Sequence, residues 1–82
     1  MSQKEKLISY MQSNPLPTDI SFDDFKKYLE YYGFELKRTD GSHNMFVHNK
    51  SGLMYTVPTL NGRNVKTIYL KKANEIIKQM EE

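Results

Sequence analysis

The sequence predicts an α+β domain: a three-stranded antiparallel meander covered on one face by two helices, with one further helix at the N-terminus. Three observations predict it. Phe22, Phe25, Leu29 and Tyr32 recur at spacings of three, four and three, the stripe of a core-facing helix. Between Phe34 and Val57 lie three short segments broken by Gly-containing turns, Thr39-Asp40-Gly41 and Asn49-Lys50-Ser51-Gly52. Leu70, Ala73, Ile77 and Met80 then form a second helical stripe, broadened by Tyr69 and Ile76.

The elements follow in order. Ser2 opens the first helix, with Glu5 three positions later in capping-box spacing. Leu7, Ile8 and Met11 give it a short apolar stripe, and Asn14, Pro15 and Pro17 end it. Residues 13–20 read as a linker, so the expected organisation is an N-terminal helix and linker over 1–20 and one globular unit over 21–82. Ser21 caps the second helix, and Gly33 stands where a left-handed C-terminal cap is expected. The strands are predicted over 34–38, 43–48 and 53–57, with Pro58 closing the third and Asn61-Gly62 marking another turn. The last helix begins between Asn64 and Thr67. Period-two alternation turns Phe34, Leu36, Phe46, Tyr55 and Val57 toward the helices, to pack with Phe22, Phe25, Leu29, Leu70, Ala73 and Ile77.

Composition bounds the function. The chain has 82 residues, room for one modest core, with 38% hydrophobic and 27% charged residues. No apolar run approaches the ~18 residues that span a bilayer, and the N-terminus lacks the apolar segment of a secretory signal. With no cysteine there is neither a disulfide framework nor a thiolate metal site, so a cytoplasmic protein is the simplest expectation. No Gly-rich phosphate loop precedes a helix, and the two histidines lack zinc-ligand spacing, so no cofactor and no metal are expected. A net charge of +2 says little about partners, although twelve Lys and Arg can coat one face of so small a body.

The feature that carries chemistry is Gly41-Ser42-His43. A histidine directly after a Gly-containing turn is anchored at one end and open at the other, and an imidazole exchanges protons near neutral pH. RNA suits such a residue, because its 2′-hydroxyl is a built-in nucleophile and cleavage needs a base, an acid and charge stabilisation. His48 cannot share the task. Five residues along a regular strand is roughly 17 Å, and the odd spacing puts the two rings on opposite faces. Ser42, Lys37 and Arg38 are the nearby candidates to assist His43, whereas His48 reads as a hairpin-end residue.

These residues, taken in order, resemble a known family. Tyr32-Gly33-Phe34, Gly41-Ser42-His43, His48 and Tyr55-Thr56-Val57-Pro58, followed by the helix 65–73, are similar to the HicA family of bacterial toxins. The resemblance spans about residues 21 to 80. It implies a double-stranded-RNA-binding-like fold, cleavage of mRNA, neutralisation by a HicB-type antitoxin, and a catalytic role for the histidine of the Gly-Ser-His motif, His43. Two departures stand out. Many members carry a second histidine two residues after the strand-three proline, where this chain has Leu60, and residues 2–12 lie outside the minimal family pattern.

The expected site follows. His43 acts as acid/base, and Lys37, Arg38, Ser42, Lys50, Lys71 and Lys72 hold RNA. Strict alternation sends Met45 and Val47 outward with Met54 and Thr56, an apolar patch around His43 on which an antitoxin would dock. The free toxin is expected to be a monomer. A non-catalytic RNA-binding module and a protein-interaction domain are the rival readings; the first needs no special histidine, and the second is favoured by the low net charge.

Overall fold

The computed structural model describes residues 2–81. Its elements are α1 (Gln3–Met11), β1 (Ile20–Ser21), α2 (Phe22–Tyr31), β2 (Phe34–Asp40), β3 (His43–His48), β4 (Met54–Pro58), β5 (Asn64–Val65) and α3 (Thr67–Glu81). Both N-terminal caps form as the sequence requires. Glu5 N–H donates to Ser2 Oγ at 3.2 Å, and Asp24 N–H donates to Ser21 Oγ at 3.1 Å, each satisfying a donor that the helix itself leaves free. After α2 the chain reverses at Gly33, whose φ is +90°. A side chain there would be strained, and its Cβ would also stand only 3.1 Å from His48 Nε2.

β2, β3 and β4 form an antiparallel sheet in that order. Phe34, Phe46 and Val57 face the helices and are buried with Phe25, Leu29, Leu70, Ala73 and Ile77, while Leu36, Tyr55 and Phe22 are half-buried against them. Phe46 is central: its ring lies 6.2 Å from both Phe22 and Phe25, the latter edge-on. The chain is thus α+β, with the helices on one face of a three-stranded sheet.

Three features differ from the sequence expectation. β2 runs to Asp40 instead of ending at Arg38, so the turn is Gly41-Ser42 and not Thr39-Asp40-Gly41; β4 is likewise one residue later, at 54–58. A second, two-stranded sheet joins β1 to β5 through Ile20↔Val65 and Ser21↔Asn64, and Ile20 and Val65 are buried. Strands of two residues are too short to show a period. Finally, residues 13–20, expected as a linker, are fastened to the body: Leu16 packs on the core, and Thr67 Oγ1 donates to Pro17 O at 2.8 Å.

α1 is tied down by its end. Met11 is fully buried. A chain of hydrogen bonds surrounds it: Gln12 Nε2 donates to Tyr28 Oη (2.9 Å), Tyr28 Oη–H donates to Asn74 Oδ1 (2.6 Å), and Asn74 Nδ2 donates to Met11 O (3.0 Å). Burial pushes the Tyr28 phenol up to about 12, outweighing the opposing hydrogen bond from Gln12. The hydroxyl therefore stays protonated and remains a donor. Tyr55, whose hydroxyl donates to Tyr69 O at 2.8 Å, is raised to about 12 by burial, with the Tyr69 phenol adding to it.

Candidate active site

Two local devices build the site. The first is the turn. Gly41 has φ +62°, and Ser42 is absent from the positive-φ residues, the arrangement of a two-residue type II′ hairpin with Gly at its first central position. The Gly-Ser-His string is therefore a turn plus the first residue of β3, which leaves His43 exposed and directly opposite Asp40 on β2 and Pro58 on β4.

The second device is a β-bulge. Leu36 pairs with Phe46 and Arg38 with Met45, so one residue of β2, Lys37, has no partner on β3. Unbroken alternation would place Arg38 and Asp40 on the same side as Phe34 and Leu36, under the helices. The extra residue reverses the parity, and Arg38 and Asp40 join His43 on the open face. There Arg38, Asp40, His43, Met45 and Thr56 line a shallow groove of about 250 Å³. Arg38 Nη2 lies 3.6 Å from Asp40 Oδ2, and Lys37 Nζ lies 3.3 Å from Glu35 Oε2. Both pairs are solvent-exposed, so each is worth little and leaves its cation available to an incoming anion.

Beneath His43 lies Asn44, the one buried polar residue among the described residues, at 4% exposure. Its Nδ2 donates to Val57 O (3.0 Å) and Ser42 O (3.3 Å), and its Oδ1 accepts from Thr39 Oγ1 (3.1 Å). Thr59 N–H also donates to Ser42 O, at 2.9 Å. One side chain thus fastens the turn, β2 and β4 together under the histidine. Sequence reasoning did not single out Asn44 or Asp40. The available signal for Asn44 was a polar residue at an inward position of an otherwise apolar strand.

The other expected residues fall into separate places. Met45 pairs with Thr56 and Val47 with Met54, so these four make one patch on the open face; Met54 is 62% exposed, while Met45 and Val47 are half-buried. Arg38 and Ser42 lie at the His43 end, whereas Lys37 sits at the bulge in mid-strand with its ammonium against Glu35 and does not line the groove. Lys50 is in the β3–β4 turn at the far end of the sheet, and Lys71 and Lys72 are exposed on α3, in the helical layer on the other side. The structure does not bring these three lysines to His43. His48 is engaged elsewhere. Its ring meets Phe34 edge-on at 5.1 Å, and Ser51 N–H donates to its Nδ1 at 3.2 Å, with Ser51 Oγ 2.9 Å from the same nitrogen. An Nδ1 that accepts from a backbone N–H carries no proton, which sets the neutral ring as the Nε2–H tautomer.

The site is thus a helix-backed three-stranded sheet whose bare face presents a histidine, an arginine and an apolar patch. The family model described as HicA toxin of bacterial toxin-antitoxin matches residues 22–81, well over half of the chain. The chain belongs to the HicA toxin family and is the toxin of a toxin–antitoxin system, whose counterpart is an antitoxin. No curated protein and no solved structure matches it. The family match begins at Phe22, so α1, β1 and the segment between them lie outside it.

Proposed function

We propose that this toxin is a metal-independent endoribonuclease that cleaves mRNA in the cytoplasm, with His43 as its acid/base. The observation that carries the reading is the exposed imidazole in a groove shared with Arg38, on a turn that Asn44 holds rigid. The chemistry needs little more. His43 takes the proton of a 2′-hydroxyl, the freed oxygen attacks the adjacent phosphorus, and the bond from phosphorus to the 5′-oxygen breaks. The products are a 2′,3′-cyclic phosphate and a 5′-hydroxyl, the latter protonated by the imidazolium or by water. Arg38, with Lys37 beside it, balances the charge that grows on the non-bridging oxygens. RNA is held by its backbone through Lys37, Arg38 and the Ser42 turn, with Lys50, Lys71 and Lys72 reached only by RNA that extends around the domain.

Purified toxin incubated with a long RNA, with and without chelator, tests this directly. Cleavage that survives chelator supports it. Binding without cleavage supports a non-catalytic RNA-binding module, and neither supports a protein-interaction domain. Affinity should fall steeply between about 50 and 200 mM salt, since phosphate contacts release counterions.

The same face suits a HicB-type antitoxin. Met45, Val47, Met54 and Thr56 form an apolar patch beside His43, and methionines repack readily against a partner. The antitoxin would then inhibit by covering the histidine. Met45→Lys with Met54→Lys should leave the melting temperature nearly unchanged and weaken antitoxin binding. A double mutant that folds and binds normally puts the docking face elsewhere.

A further inference from the structure

A second hollow adjoins the His43 groove across the end of β4. It measures about 150 Å³ and is bounded by Pro58, Thr59, Leu60, Lys66 and Tyr69. Pro58 is the residue paired with His43, and Thr59 N–H donates to Ser42 O, so one wall is bonded to the turn that carries the histidine. Two further walls are held through their backbone. Leu60 is locked by reciprocal bonds with Asn64, Leu60 N–H to Asn64 O at 2.7 Å and Asn64 N–H to Leu60 O at 3.2 Å. Tyr69 is held in the first turns of α3, where its carbonyl accepts from Tyr55.

The lining has the chemistry of a base-stacking site. A proline ring, a leucine 48% exposed and a phenol offer apolar surface, and Lys66 adds a cation with no carboxylate within 4.0 Å among the described residues. Stacking on such surfaces accepts any base, because every base has a π-face, while a nearby ammonium holds the phosphate. A hollow of about 150 Å³ has room for one heterocycle and is far too small for a duplex.

We infer that this hollow is a nucleobase pocket, which takes the base of a nucleotide flanking the phosphate at His43 in single-stranded RNA and thereby sets the cleavage-site preference. The inference rests on the ribonuclease reading and adds Leu60, Lys66 and Tyr69 to it as specificity residues. An RNA strand crossing the open face past Arg38 and His43 meets this hollow next, on leaving the sheet over β4.

The test uses two readouts. His43→Ala protein, which should leave RNA intact, is mixed with short single-stranded RNAs carrying the fluorescent base 2-aminopurine at successive positions, with binding followed separately by anisotropy. One position should be quenched by stacking, and adding Leu60→Ala should remove that quenching while the RNA still binds. In parallel, mapped cut ends from the active protein should show a base preference beside the scissile bond that falls by about five-fold or more in Leu60→Ala and persists in Leu60→Met. Binding without position-dependent quenching, or a preference unchanged in Leu60→Ala, overturns the pocket and leaves the ribonuclease reading standing. If the hollow instead receives an antitoxin side chain, Leu60→Ala alters antitoxin affinity and neither RNA readout, which also overturns it. Absence of both RNA binding and cleavage in the parent protein overturns the two together.

Discussion

The two ends of β3 carry the same residue type in opposite circumstances. His48, at one end, lies on the helix-facing side, half-buried against Phe34, and its Nδ1 is occupied by Ser51. His43, at the other, lies on the bare side, exposed in a groove with Arg38 and Asp40 and fastened from below through its neighbour's side chain. The contrast teaches that how free a histidine is here depends on strand parity and on whether the surrounding backbone engages its ring. At His48 the structure uses the imidazole to close a hairpin. At His43 it uses Asn44 to hold the turn and leaves the imidazole unengaged.

The largest effect comes from the residue between the two ends. Phe46→Ala removes the ring shared by Phe22 and Phe25 and should cost ~3–5 kcal/mol, enough to unfold a domain of this size and to abolish the comparison. A melting curve barely shifted by this change contradicts the register. Asn44→Ala acts on one end only. It removes the side-chain amide shared by Ser42 O and Val57 O, leaving Ser42 O only its bonds from Thr59, and should cost ~1–3 kcal/mol, with cleavage reduced beyond what the remaining folded fraction accounts for. Full specific activity in the folded protein would show that the turn does not depend on it.

At the other end, Ser51→Ala removes a hydroxyl bonded to His48 and should cost ~0.5–1.5 kcal/mol without changing the cleavage rate per folded molecule. A change in that rate would couple the two ends. The smallest effect near neutral pH is expected from two phenols that donate to α3, and it shows only in alkali. Tyr28 and Tyr55 are raised to about 12 in the folded state, so the unfolded chain loses these protons first as pH rises. The stability they support is fully present below about pH 10 and declines as pH rises toward 12. Tyr28→Phe together with Tyr55→Phe should flatten that decline in a pH series of melting temperatures.

Much of the fold was legible because its long elements repeat. The stripes of α2 and α3, the caps at Ser2 and Ser21 and the turn at Gly33 all follow from spacing and from the conformations that single residues accept. The two-residue strands β1 and β5 were not legible, since Ile20 and Val65 meet only through tertiary structure. The firm seating of α1 was not legible either, because its bonds run to Tyr28 and Asn74, distant in sequence. In the site, the candidacy of His43 came from Gly41-Ser42, whose turn requirement is local. The bulge at Lys37 is silent because Lys37 to Asp40 is polar throughout, so no apolar alternation marks the slip, and with it went Asp40 and the outward turn of Arg38.

The most direct measurement compares the two histidines in one assay. His43→Ala and His48→Ala are purified, their melting temperatures are recorded, and the cleavage of a long RNA is timed in the presence of chelator. His43→Ala is expected to melt close to the parent and to cleave about 10²–10⁴-fold more slowly, whereas His48→Ala should melt lower and cleave at the parent rate per folded molecule. A His43→Ala protein that cleaves as fast as the parent, or a His48→Ala protein that folds and has lost cleavage, contradicts that expectation.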